Sequence, residues 1–372
     1  MDFLDEATTV ERAFIERAKK THTPIQGSIE LLPLCNMNCN ICYVRLSKEE
    51  MEQQGRLLTL DEWITIGKQM AKSGVLFLLL TGGEPLLYPD FKKLYLELRK
   101  MGMILTINTN GTLIDEEWAA FFGKYKPRRI NITLYGKDRE AYEKLCHYPE
   151  GYDRTVRGVQ LLKEQGVDVK MSSSITPWNK DDIDSMVAVG EALDVPVRID
   201  TYMMPAVRER KRAFSQQVRL DPWEAAKARN HALQLEMGEE LFEQYSRNSI
   251  LESEQPVQQE AVMQPMPCLA GSCSFTISWK GELHPCVILS EPTASVMELG
   301  FQKAWETVQE AIRGIYTNAK CAACPLNKLC RTCAASALLE AGSYDAVPEY
   351  MCRYAEESLR LLKEYVQRKE AR

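Results

Sequence analysis

Six short runs of apolar and β-branched residues, each followed by a helical period, constrain the fold of this chain more than any other feature. They are GSIELLPL (27–34), VLFLLL (75–80), MILTIN (103–108), RINITLY (129–135), VDVKMSSSI (167–175) and VPVRIDTYM (195–203). Thr59 and Glu62 supply a T-x-x-E capping signal for one intervening helix. Phe91, Leu94, Tyr95 and Leu98 repeat at i, i+3, i+4, i+7 along the next. Gly166 stands where another helix must stop before a strand. Strands alternating with helices call for a parallel sheet with right-handed crossovers. Six repeats are fewer than the eight that close a TIM barrel. The predicted fold is therefore α/β, a partial (β/α)6 TIM-like barrel over residues 25–205, open on one side. Chemistry in such sheets sits at the carboxyl ends of the strands.

The flanks read differently. Residues 1–24 are a helical extension, 206–265 a charged, helix-prone bridge whose end (251–265) is a polar linker, and 266–355 a small cysteine-rich domain. A closing helix is expected from about 349 to 370, its last part (356–372) lying beyond that domain. With 46 basic and 52 acidic residues the net charge is −6, which points to neither nucleic acid nor an anionic membrane as partner. The opening MDFLDEATTV lacks the basic and apolar regions of a signal peptide, and VLFLLL is too short to span a bilayer. A cytoplasmic protein is expected. Twelve cysteines in a reducing compartment then point to metal rather than disulfides, and with only four histidines thiolates must do the ligation.

Three of those cysteines, Cys35, Cys39 and Cys42, form C-x3-C-x2-C directly after the first strand. Taken by themselves they are three-quarters of a zinc site, structural cysteines, or ligands to three irons of a [4Fe–4S] cluster whose fourth iron stays open for a small chelating ligand. The triplet resembles the signature of the radical S-adenosylmethionine (radical SAM) enzymes, with one departure, Ile41 in place of the usual aromatic residue. Further matches come in order along the chain. Gly82, Gly83, Glu84 and Pro85 follow the second strand, and in that family a Gly-Gly-Glu turn binds the amino group of the methionine moiety. Asn110, in NTNGT after the third strand, is placed near S-adenosylmethionine by the resemblance, and Thr133 in the fourth strand matches a position that contacts the ribose.

The C-terminal cysteines read C-x4-C-x12-C, C-x2-C-x5-C-x2-C and a last lone cysteine, which resembles the SPASM extension of radical SAM enzymes. The one departure is a gap of two rather than three residues between Cys330 and Cys333. The resemblance implies two auxiliary [4Fe–4S] clusters, one on Cys268, Cys273, Cys286 and Cys333, the other on Cys321, Cys324, Cys330 and Cys352. Taken alone, C-x2-C-x5-C-x2-C would suit a zinc ribbon. Cys146 is read as a buried small hydrophobe.

The resemblance as a whole implies three [4Fe–4S] clusters and S-adenosylmethionine. It implies reductive cleavage to a 5′-deoxyadenosyl radical and hydrogen abstraction from a ribosomally made precursor peptide or protein, installing a thioether or carbon cross-link. No protein general base is exposed by the sequence. A flavodoxin or ferredoxin is the expected reductant. The 34 residues before Cys35 are too few for a winged-helix-like leader-binding domain, so recognition by a separate leader-peptide-binding protein or by the barrel surface is expected. Formylglycine formation in sulfatases is the weaker alternative, because Val287 stands where those relatives carry an aspartate. A SPASM dehydrogenase acting on a small molecule and a zinc-stabilised binding protein are the others.

Overall fold

The computed structural model describes residues 8–204, 208–209, 218–255, 262–330 and 332–371. The first residues of the predicted extension, most of the charged run 206–217 and the middle of the predicted polar linker (256–261) lie outside them.

All six predicted strands form: β1 (Gln26–Glu30), β2 (Phe77–Thr81), β3 (Ile104–Thr109), β4 (Arg129–Thr133), β5 (Val169–Ser174) and β6 (Val197–Asp200). They pair in chain order and all in parallel. Each joins the next through helices, as parallel pairing requires. The expected caps are in place. Thr59 Oγ1 accepts from the Glu62 N–H while the Glu62 carboxylate accepts from the Thr59 N–H, opening the helix Leu60–Lys72. Gly166 takes φ +64° after the helix Gly151–Glu164, and the Val167 N–H returns to the Leu162 carbonyl. Phe91, Leu94, Tyr95 and Leu98 are all buried in the helix Phe91–Lys100. Phe91 and Tyr95 pack against Phe122, at ring separations of 6.4 and 5.8 Å.

The cysteine-rich segment contributes what the sequence pattern did not announce. After β7 (Gln264–Pro265), which pairs only with β11 (Tyr316–Thr317), come β8 (Ser274–Ile277), β9 (Glu282–His284) and β10 (Ala294–Ser295). These three continue the barrel sheet, in the order β10-β9-β8-β1-β2-β3-β4-β5-β6. β8 lies parallel to β1, with Gln26 opposite Ser274 and Ile29 opposite Ile277. Close packing sets this pairing: a Cβ on Gly27 would come 2.3 Å from the Phe275 ring. Phe275 in turn meets Phe301 at 5.0 Å and Trp305 at 6.1 Å, both on the helix Phe301–Ile312. The strands of this segment are two to four residues long, too short for a period-2 pattern to be read.

The bridge is helical, as expected, over Pro222–Glu254, with a kink at Gly238 (φ +75°). It packs along the C-terminal helix Glu349–Glu370, where Phe242 and Tyr365 meet at 4.9 Å. No described helix is long and apolar enough to cross a membrane.

The junction of β8 with β1 is the seam between barrel and cysteine-rich segment. Phe275→Ala removes a buried ring from it and is expected to cost about 3–5 kcal/mol. Urea denaturation followed by circular dichroism reads this as a lowered midpoint.

Candidate functional site

The chain leaves β1 into a loop that carries all three N-terminal cysteines, and the parallel pairing of β1 with β2 runs on into it. The Leu31 N–H bonds the Thr81 carbonyl (2.9 Å), the Gly83 N–H the Leu32 carbonyl (2.7 Å), and the Glu84 N–H the Leu34 carbonyl (2.9 Å). This approach is possible only without side chains. A Cβ on Gly82 would stand 2.5 Å from the Leu32 oxygen, and one on Gly83 2.3 Å from the Leu34 oxygen. The two glycines therefore seat the residue next to Cys35.

Glu84 is fully buried, and its carboxylate is spent inside the protein. It accepts from the Leu86 N–H (3.1 Å), the Thr109 hydroxyl (2.8 Å) and the Asn110 N–H (2.9 Å). Pro85, also buried, opens the 3-10 turn Pro85–Leu87 that presents Leu86. Burial is the largest influence on Glu84 and pushes its carboxyl up to about 7, against the opposing pull of those donors.

Through Glu84 the second loop holds the third. Asn110 is 5% exposed and sits against Cys35: its Nδ2 lies 3.7 Å from the Cys35 sulfur and donates to Asn36 Oδ1 at 2.9 Å. Its Oδ1 accepts from the Thr112 hydroxyl (2.7 Å), and Asn36 Nδ2 donates to the Thr112 oxygen (2.8 Å), which closes a ring of amides and hydroxyl beside the first cysteine. Asn36, Thr109 and Thr112 escaped the sequence reading; their one signal was proximity to residues already singled out. On the far side the loop is tied to the helix Arg139–Cys146, the Asn38 N–H bonding the Cys146 carbonyl and the Asn40 N–H that of Leu145. Cys146 is fully buried beside Cys39, and burial pushes its thiol up.

Among the described residues, no three Cys, His, Asp or Glu side chains converge about a single metal ion. The thiols gather instead in three looser sets. Cys35 feels the charges of Cys39 and Cys42. Cys268 feels those of Cys286 and Cys333, and Cys273 that of Cys268. Cys330 feels Cys352, Cys321 and Cys324. A structural zinc asks for donors about one tetrahedral centre, whereas an iron–sulfur cluster takes each thiolate on a different corner. The donors here fit the cluster. Backbone N–H groups also point at the sulfurs: Met37 at Cys35 (3.4 Å), Arg45 at Cys42 (3.2 Å), Leu289 at Cys286 (3.3 Å) and Ser336 at Cys333 (3.5 Å). Such donors stabilise thiolate charge and tune a cluster's potential.

Inside the sheet lies a cavity of about 740 Å³, lined by residues of β1 to β5 and β8, Arg198 of β6, and Tyr43, Arg128, Asp168, Pro285, Cys286 and Val287. Thr133 lines it too, at the end of β4 and opposite Ser172. One sequence-invisible feature borders it. Glu30, fully buried at the end of β1, takes two bonds from Arg208 (2.6 and 2.7 Å), beside the hydroxyl of Tyr43 at 3.4 Å. The partners stand 178 residues apart, which no local pattern could reveal.

Residues 29–189 match the model of the Radical SAM superfamily. Over 341 residues, 87% of this chain and 95% of the other, the sequence is 24% identical to the AdoMet-dependent heme synthase of Methanosarcina barkeri. The fold resembles that of SuiB from Streptococcus suis bound to precursor peptide SuiA, with TM-score 0.65 and 18% identity, over 92% of this chain and 80% of that one. It also resembles native anSMEcpe with bound AdoMet and Kp18Cys peptide, with TM-score 0.66 and 17% identity, over 92% of this chain and 99% of that one.

Glu84 gives the site a pH signature. Its neutral form is favoured in the fold, so its contribution is complete below the unfolded value of 4.5 and lost as pH rises through about 7. Unfolding free energy of the metal-free protein is expected to fall by about 3 kcal/mol across that window. Glu84→Gln, which does not titrate, is expected to flatten this slope in urea titrations at successive pH values.

Proposed function

We propose that this chain, whose residues 29–189 match the Radical SAM superfamily model, is an enzyme of that superfamily and abstracts hydrogen from a ribosomally made peptide held in the barrel cavity, with S-adenosylmethionine and three [4Fe–4S] clusters as cofactors. The observation that carries the reading is the bonding of three loops at the carboxyl ends of β1, β2 and β3. The cysteine triplet, the Gly-Gly-Glu turn and the Asn110 loop are locked to one another above the cavity. S-adenosylmethionine, bound beside the cluster that Cys35, Cys39 and Cys42 would hold, would supply a 5′-deoxyadenosyl radical.

The chain's own residues do the rest. Cys35, Cys39 and Cys42 hold the first cluster, and the N–H groups of Met37 and Arg45 steady two of its thiolates. The backbone of Gly82 and Gly83, pressed onto residues 32–34, leaves the turn no freedom to drift from the triplet. Glu84 acts on the ligand through position rather than contact, since its oxygens already accept three internal bonds. Asn110 and Thr133 stand on neighbouring loops and strands to receive the nucleoside. Cys268, Cys273, Cys286 and Cys333 would hold one auxiliary cluster and Cys321, Cys324, Cys330 and Cys352 the other, each supplying electron-transfer chemistry; of these thiols Cys286 lines the cavity. A flavodoxin or ferredoxin supplies the first electron.

The peptide substrate is supported by the solved complexes of SuiB and anSMEcpe, whose peptides are bound by folds that match this one over nine-tenths of the chain. A second reading, a haem-forming enzyme, is favoured by the relative from Methanosarcina barkeri, whose similarity runs through the cysteine-rich segment as well as the barrel.

Anaerobically reconstituted protein is expected to bind about twelve irons. With dithionite and S-adenosylmethionine it is expected to release 5′-deoxyadenosine, read by chromatography. Replacing Cys35, Cys39 and Cys42 together by alanine should remove about four irons and all of that product. Zinc in place of iron, with no product, overturns the proposal.

A further inference from the structure

Of the twelve cysteines, Cys146 belongs to none of the three sets. It is the last residue of the helix Arg139–Cys146 and is fully buried. Its thiol is in hydrogen-bonding contact with that of Cys39. Cys39 is the most deeply buried cysteine of the N-terminal triplet, 6% exposed, whereas Cys35 and Cys42 are half-buried.

Backbone bonding fixes this meeting. The last turn of a helix has carbonyls with no partner inside the helix, and here the triplet loop supplies the donors. Asn40 Nδ2 bonds the Lys144 carbonyl (3.1 Å), the Asn40 N–H that of Leu145 (2.9 Å) and the Asn38 N–H that of Cys146 (3.1 Å). His147 Nε2 meets Asn40 Oδ1 at 3.0 Å and closes the far side. The N–H bonds of Asn38 and Asn40 bracket Cys39 and hold its backbone against the end of the helix. Backbones joined in this way run roughly 5 Å apart, within the span of about 4.4–6.8 Å that a disulfide bridges. Tyr135 and Tyr142, edge-on to one another at 5.7 Å, stand within electrostatic reach of both thiols. The other two sulfurs of the triplet face different groups. Cys35 meets the Met37 N–H (3.4 Å) and Asn110 Nδ2 (3.7 Å), and Cys42 the Arg45 N–H (3.2 Å).

We propose that Cys146 is a resolving residue for Cys39: when Cys39 is not held by iron and meets a peroxide, the two sulfurs close a reversible disulfide. This rests on the reading of the triplet as the holder of the first cluster. The chemistry balances in two steps. The Cys39 thiol and hydrogen peroxide give a sulfenic acid and water. The Cys146 sulfur then bonds to the Cys39 sulfur, the S–O bond breaks, and a second water carries away the Cys146 proton. Two electrons pass from the thiols to the peroxide, and a dithiol returns both sulfurs to the reduced state. Without a resolving partner the sulfenic acid is open to further oxidation, to a sulfinic acid that thiols do not reverse. The bridge thus preserves a ligand that would otherwise be lost, and the linked chain completes its triplet only after reduction.

The test is peptide mapping of the metal-free, fully reduced full chain after treatment with hydrogen peroxide. Remaining thiols are alkylated, the chain is digested without reductant, and the products are read by mass spectrometry. The peptide containing Cys39 is expected to be joined to the one containing Cys146, and to be released by dithiothreitol. In Cys146→Ala and Cys146→Ser, Cys39 is expected to gain two oxygens about fivefold or more above the wild-type yield at the same dose. Cys39 joined chiefly to Cys35 or Cys42, or left unlinked, overturns the inference. So does sulfinic acid at Cys39 that accumulates alike in wild type and both variants. The linkage map is read on the wild-type chain, so a variant that fails to fold does not shield the proposal. It also needs no iron, so failure of the cluster reading is not confused with failure of this pair.

Discussion

A single buried carboxylate organises the catalytic end of the barrel. Glu84 receives donors from its own turn and from the following βα loop, and so fastens two loops that the sheet alone would leave separate. Ionised, it would be a buried charge bonded by two backbone N–H groups and a hydroxyl; these three donors are what make it tolerable. Removing the carboxylate would leave the Thr109 hydroxyl and the Asn110 amide buried with nothing to bond, which is costlier than never having had the bond. Because Asn110 also bonds Asn36 beside Cys35, the position of the first thiol depends on a residue 49 positions further along the chain. The glycines complete the arrangement by removing the atoms that would hold the turn away.

The second constraint is the edge of β1. In a closed barrel a further strand of the same repeat would pair there. Here the cysteine-rich segment supplies β8 in the same parallel sense, and so its thiols reach the cavity wall through Cys286. Sheet continuity thus places Cys286 on the cavity wall. The long helices Pro222–Glu254 and Glu349–Glu370 brace this attachment through Phe242, Tyr365 and the Arg247–Glu370 ion pair. That pair is exposed and contributes little by itself.

Much of the barrel was legible because its signals are local. Six strands, the Thr59–Glu62 box, the Gly166 stop and the C-terminal helix each announce themselves within a few residues. Three features were not legible. β8 to β10 are too short for periodicity, and only their pairing with β1 makes them strands. The internal bonds of Glu84 to the next loop are the second, because a motif names a residue without saying which way its side chain turns. The basic part of the cavity lining is the third, since Arg129, Lys170 and Arg198 come onto one wall only through the register of β4 to β6.

The parallel seating of β8 on β1 also sets an order of events at the ribosome. Residues 26–30 emerge first, and all of β2 to β6 is made before residues 274–277 leave the tunnel. Throughout that interval β1 offers an unpaired edge with open N–H and carbonyl groups, the kind of edge that recruits strands from other chains. The cysteine-rich segment is therefore a shield against aggregation as well as a holder of thiols. A chain truncated before Ser274 would carry every residue of the N-terminal triplet and still lack the strand that keeps its sheet from its neighbours.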